Sequence, residues 1–153
     1  MISDLEIKKK LWIAINLLFK NDSFLLEESV HERSIAHKLA EYLRQQFPDW
    51  HVDCEYNKDG ISTKLLPRQC EDTYKKYVYP DIIVHHRNTE DNLVLFEMKT
   101  NGSESKLVDK CDNVKLIEFT KINGDFKYQL GIFIGFNGLH KPLIAVYKNG
   151  QMK

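Results

Sequence analysis

Apolar residues recur at helical spacing twice before the chain meets its first proline. Ile7, Leu11, Ile15, Leu18 and Phe19 share one face of a helix expected from about Asp4 to Lys20. Ser3 and Glu6 stand before it at capping-box spacing, and Asn21 and Asp22 end it. Ser29 and Glu32 repeat the capping pattern, and Ala36, Leu39, Leu43 and Phe47 draw a second stripe that stops at Pro48. The period then shortens. Trp50–Tyr56 predicts a first strand, while Asp81–Arg87 and Leu93–Lys99 predict a hairpin with a five-residue connection, Asn88 to Asn92. A third helix is expected from Ser105 to about Lys121, with Leu107, Cys111, Val114 and Phe119 among its apolar positions. The nearly unbroken apolar run Tyr128–Phe136 suits a strand buried on both faces, and Pro142–Tyr147 an edge strand.

This order predicts one α/β domain over residues 1–153, a mixed (α+β) sheet flanked by helices with an extra helix at its N-terminus. The helix between Glu97 and Tyr128 is long enough for a parallel crossover. Trp12 and Trp50 are expected in the core. The stretch from Gly60 to Tyr79 has no clear period; Lys64, Arg68, Lys75 and Lys76 alternate there with Tyr74, Tyr77 and Tyr79, a mixture suited to phosphates and bases or simply to a surface loop.

Composition narrows the function classes. A hydrophobic fraction of 42% with 29% charged residues belongs to a globular protein. No run approaches the roughly 18 apolar residues of a membrane helix, and no small-residue cleavage site follows Lys8, Lys9 and Lys10, so a cytoplasmic protein without membrane contact is expected. Cys54, Cys70 and Cys111 are too scattered for a disulfide framework or a zinc motif, and read as reduced buried thiols. His85 and His86 are adjacent, so on a strand they face opposite ways. Twenty-two basic against 22 acidic residues argues against a non-specific DNA coat, but not against an enzyme whose carboxylates hold a metal.

The chemistry-bearing pattern is Pro80-Asp81 followed by Glu97-Met98-Lys99. With the hairpin centred on Glu90, Asp81 is expected opposite Lys99 and Ile83 opposite Glu97, all on one face because strand side chains alternate. Two converging carboxylates call for a counter-charge, and oxygen ligands select Mg2+ or Mn2+. Lys99 beside them would orient or help deprotonate an attacking water, or offset charge developing on phosphorus. The other face, Ile82, Val84, Phe96 and Met98, would bury against helices.

Pro-Asp, a hairpin-length gap and Glu-x-Lys resembles the PD-(D/E)XK nuclease superfamily, over about His31 to Phe136. The chain looks like its small stand-alone bacterial or phage members. The resemblance implies a restriction-endonuclease-like core, Asp81 and Glu97 as metal ligands, Lys99 as catalytic lysine and Glu32 as a further ligand from the preceding helix. It also implies supporting roles for Asp112 and Lys115, which with Leu116 match an Asp-x-x-Lys-Leu pattern. Lys64, Arg68, Lys75 and Lys76 are candidates for substrate contact. The expected activity is hydrolysis of nucleic acid, DNA in preference to RNA, with a homodimer suited to cutting both strands. Plainer readings stand beside these: Glu32 as a helix cap, Asp112 and Lys115 as an exposed ion pair, and Glu97 with Lys99 as a solvated strand face. The alternatives to catalysis are a nuclease-fold module that binds nucleic acid or protein without turnover, and a subunit of a larger defence or mobile-element complex.

Overall fold

The computed structural model describes residues 2–28, 31–56, 58–59, 62–63, 80–100 and 108–153. In chain order the elements are α1 (Asp4–Asn21), α2 (Ser23–Glu27), α3 (Glu32–Gln46), β1 (His51–Cys54), β2 (Lys58–Asp59), β3 (Ser62–Thr63), β4 (Ile82–His85), β5 (Asn92–Thr100), α4 (Lys110–Thr120), β6 (Leu130–Phe136), β7 (Leu143–Lys148) and β8 (Gln151–Met152). Six strands form one mixed sheet in the order β1-β4-β5-β6-β7-β8, and β2 pairs only with β3. All neighbours run antiparallel except β5 and β6, which α4 joins as a parallel crossover. The mixed α/β architecture with an additional N-terminal helix is therefore as expected. Among the described residues no helix is long and apolar enough to cross a membrane.

Strand alternation divides the interior into two layers. Ile82, Val84, Val94, Phe96 and Met98, with Leu130, Ile132, Ile134 and Phe136, pack against the stripes of α1 and α3. Ile83, Leu95, Phe133 and Tyr147 face the other way, against Leu116 and Phe119 of α4. Each fully buried side chain of this size contributes roughly 1.5–3 kcal/mol. Gly131 is what lets α4 lie so close. A Cβ there would stand 3.0 Å from Leu116 Cδ2 and 3.1 Å from Thr120 Cγ2. Tyr147 Oη donates to Asn113 Oδ1 at 2.8 Å, pinning the same helix to β7.

Several expectations change in detail. Ser3 does cap α1, accepting from Glu6 N at 3.2 Å. The N-cap of α3 is His31, whose Nδ1 accepts from Arg33 N at 3.3 Å; Ser29 lies outside the described residues. The hairpin register differs by two residues: Ile82 pairs with Phe96 and Ile83 with Leu95, with an irregularity at Val84/His85. Asp81 thus stands level with Glu97 rather than Lys99. Because the shift is even, every side chain keeps its face. Of the thiols expected to be buried, Cys54 is exposed and Cys111 half-buried, both unpaired, while Cys70 lies outside the described residues. Trp12 and Trp50 are half-buried and pack on the core edge. His85 and His86 diverge: His85 Nε2 meets Asp53 Oδ2 at 2.9 Å, whereas His86 stacks on Trp50.

Candidate functional site

Four elements bring charge to one end of the sheet. Buried Pro80 leads Asp81 into β4, and Asp81 Oδ2 accepts from Met98 N of β5 at 2.7 Å. Glu97 sits mid-sheet, level with Phe133 of β6, and is only 1% exposed. A solvated strand face is ruled out. At the end of β5, Thr100 N donates to Glu32 Oε2 at 3.2 Å, so the first residue of α3 is bonded to the sheet instead of capping its own helix. From the other layer, α4 supplies Asp109, Asp112 and Lys115. Asp109 is the N-cap, its Oδ1 accepting from Asp112 N at 2.8 Å.

The cations sit differently from expectation. Lys115 Nζ lies 2.6 Å from Glu97 Oε2 and 2.9 Å from Asp112 Oδ1, and its side chain is 16% exposed. The Asp112–Lys115 pair exists, but buried within the site and not on the surface. Lys99 Nζ is 3.4 Å from Asp109 Oδ2 and 3.5 Å from Asp112 Oδ2. Glu97 therefore has Lys115 as its close partner, a contact that the Glu-x-Lys spacing does not reveal. The i+3 spacing of Asp112 and Lys115 was a usable signal, since two charged residues on a helix crossing a buried sheet face must meet something there.

Among the described residues of the cluster, acidic groups outnumber basic ones. Glu32, Asp81, Glu97, Asp109 and Asp112 are five carboxylates against the two ammoniums of Lys99 and Lys115. Burial raises the Asp81 carboxyl to about 6, despite the Met98 N–H and Lys115, with Glu32 and Asp112 adding to the rise. Burial likewise pushes Glu97 well above the usual range against the pull of Lys115, with Asp81 and Asp112 reinforcing it. Glu32 is raised by burial too, although Lys99 and the Thr100 N–H oppose this. For Lys115 burial works against the charge, but Glu97 and Asp112 outweigh it and hold the ammonium protonated. Lys99 is held charged in the same way by Asp112, Glu32 and Asp109.

A cleft of about 390 Å³ opens beside this cluster, lined by His31, Glu32, Arg33, Ala36, His37, Cys54, Glu55 and Asp81. Glu32 and Asp81 belong to both cleft and cluster. Although Cys54 is exposed as a residue, desolvation of its thiol on the cleft wall, with Asp53, Glu55 and Asp81 nearby, pushes it up to about 11, which keeps it neutral and unsuited to nucleophilic attack. Arg33 on the cleft wall pairs with Glu55 at 2.9 Å.

Among the described residues, no group of three or more His, Cys, Asp or Glu side chains already converges as a metal cage. The donor set nevertheless fits a hard cation. It is all oxygen, it carries excess negative charge, and Glu97 Oε1 and Asp112 Oδ2 are buried with no hydrogen-bond partner among the described residues. Lys64, Arg68, Lys75 and Lys76, with Tyr74, Tyr77 and Tyr79, lie outside the described residues. Compared with models of known protein families and with curated proteins, the chain matches none.

Proposed function

We propose that the chain is a metal-dependent phosphodiesterase of the PD-(D/E)XK kind, one nuclease-like domain that hydrolyses nucleic acid, DNA in preference to RNA. The element order α3-β1-β4-β5-α4-β6 supports that resemblance. One observation carries the reading: Glu97 is buried mid-sheet level with Asp81, in a cluster rich in carboxylate, and Glu97 Oε1 has no partner among the described residues. Leaving such an oxygen unpaired costs about 1–3 kcal/mol or more unless a ligand uses it. Asp81 and Glu97 would hold Mg2+ or Mn2+, with Glu32 at the cleft side. Such an ion polarises a phosphate and makes a bound water more acidic. Lys99 keeps its charge and offsets the negative charge gathering on phosphorus; held protonated, it orients water rather than taking its proton. The cleft beside Glu32 and Asp81 gives a substrate strand its approach. The N-termini of α3 and α4, both ending at the cluster, add positive potential suited to a phosphate.

Replacing Asp81 or Lys99 by alanine should abolish Mg2+-dependent cleavage of labelled DNA while the circular dichroism spectrum stays that of the parent protein. Retention of parental activity by both variants would remove the assignment. Cleavage of matched DNA and RNA strands reports the substrate preference.

A second reading has its own observation. Lys115 at 2.6 Å already gives Glu97 a counter-charge, as a binding module without turnover would require. A protein of that kind would bind nucleic acid equally well with and without divalent ions and cut none.

A further inference from the structure

Lys115 stands where a metal must compete. A divalent ion shared by Asp81 and Glu97 has the unpartnered Glu97 Oε1 open to it, but it would share that carboxylate with an ammonium 2.6 Å from the other oxygen, Oε2. Two cations crowded on one buried carboxylate repel strongly at low dielectric. Either the lysine is a permanent structural partner or it gives way.

Four features favour giving way. Lys115 has a second anchor, Asp112 Oδ1 at 2.9 Å, so the ammonium keeps a partner when it leaves Glu97. Asp112 itself is secured to the helix start, its N–H donating to Asp109 Oδ1. The helix is fixed by Gly131 and by the Tyr147–Asn113 bond, so the movement needs only side-chain torsions. Finally, Asp112 Oδ2 is buried without a hydrogen-bond partner among the described residues, 3.5 Å from Lys99 Nζ. That oxygen, in a longer ion-pair contact with Lys99 and without a hydrogen bond among the described residues, stands beside the one Lys115 already uses.

We infer that Lys115 is a displaceable counter-ion: its ammonium neutralises Glu97 in the metal-free protein, and a divalent cation expels it onto Asp112. The idea rests on the nuclease reading above, because it needs a metal at Asp81 and Glu97. It assigns Lys115 a positioning role and makes metal affinity a difference between two cations' hold on one carboxylate.

The test titrates Mn2+ into the full chain by calorimetry, for the parent protein, Lys115→Met and Asp81→Asn. Displacement predicts binding that Asp81→Asn abolishes and that Lys115→Met tightens roughly tenfold or more, the scale of one buried charge-assisted bond. A parent that binds Mn2+ with Lys115→Met unchanged or weaker overturns the inference and leaves the nuclease reading intact. Absence of Mn2+ binding by both parent and Lys115→Met overturns both. Should Lys115→Met fail to fold, the parent protein alone decides. Its Lys115 ammonium resonance, assigned through its loss in Lys115→Arg, should move as diamagnetic Mg2+ is added. A resonance unchanged at saturating Mg2+ also overturns displacement.

Discussion

The α4-covered face of the sheet carries two polar clusters, and they are settled in opposite ways. At one end Asp53, on β1, is fully satisfied: His85 Nε2 lies 2.9 Å from its Oδ2, Arg87 Nε donates to the same oxygen at 2.8 Å, and Arg87 Nη2 bonds Oδ1. At the other end, beyond Ile83 and Leu95, five carboxylates share two ammoniums among the described residues, and two buried oxygens make no hydrogen bond there. The same scaffold can neutralise a half-buried acid completely. An excess left at one end alone is therefore not forced by the fold, and the cation proposed above would complete it.

The electrostatics differ in sign as well. Burial opposes ionisation of Asp53, but its hydrogen bonds from Arg87 and His85 outweigh that and hold it below its usual 3.8. Asp81 is held above the same value, at about 6, chiefly by burial. Ionised Asp53 strengthens the metal-free fold, and ionised Asp81 weakens it.

The largest expected effect breaks the satisfied cluster. Asp53→Ala leaves buried His85 and the Arg87 guanidinium without their acceptor and should cost about 2–4 kcal/mol in urea unfolding. Mg2+-dependent cleavage per folded molecule should remain. A loss under about 0.5 kcal/mol would mean that satisfaction at this end counts for little, and the contrast would fail.

A pH series sharpens the contrast. The stabilisation from Asp53 is present above pH 3.8 and is lost as the pH falls below that value through its lowered folded pKa. The penalty from Asp81 is absent below pH 3.8 and grows as the pH rises through about 6. Metal-free Asp81→Asn should therefore be more stable than the parent at pH 8, by on the order of 2 kcal/mol, and should lose that advantage near pH 4. Mg2+ at pH 8 should raise the melting temperature of the parent but not of Asp81→Asn. An Asp81→Asn protein equal to the parent in stability across this range would show that Asp81 is not strained.

The smallest effect tests the helix that roofs the open cluster. Gly131→Ala places a methyl 3.0–3.1 Å from Leu116 and Thr120 and should cost about 1–2 kcal/mol. Because α4 carries Lys115, Mn2+ affinity should shift too, whereas the parent-like His85–Asp53 pairing should be untouched in proton spectra. A Gly131→Ala protein that loses stability with no change in Mn2+ affinity would uncouple the helix from the cluster.

Periodicity made the helices and buried strands legible, because stripes such as Leu39–Leu43 and runs such as Leu130–Phe136 are written directly in side-chain polarity. Register was not. It depends on turn geometry, here Asn88 at φ +60° and the irregularity after Val84, and neither leaves an apolar period to count. The even shift spared the face assignment, so Asp81 and Glu97 were recognisable as neighbours. Lys115 looked like half of a surface pair because α4 has a weak stripe, and the close approach of α4 depends on a glycine of β6, the strand beside Glu97. The five-residue α2 and two-residue β8 are too short for any period to register.

The crossover between β5 and β6 has a consequence for how the protein is made. Glu32, Asp81, Glu97 and Lys115 all leave the ribosome before β6, yet Glu97 lies on a strand whose other neighbour β6 must supply. A nascent or truncated chain ending near residue 125 would hold every one of those residues and still lack the paired sheet that gathers them. On the nuclease reading proposed above, competence would then arrive late and all at once, leaving a half-synthesised copy without the site.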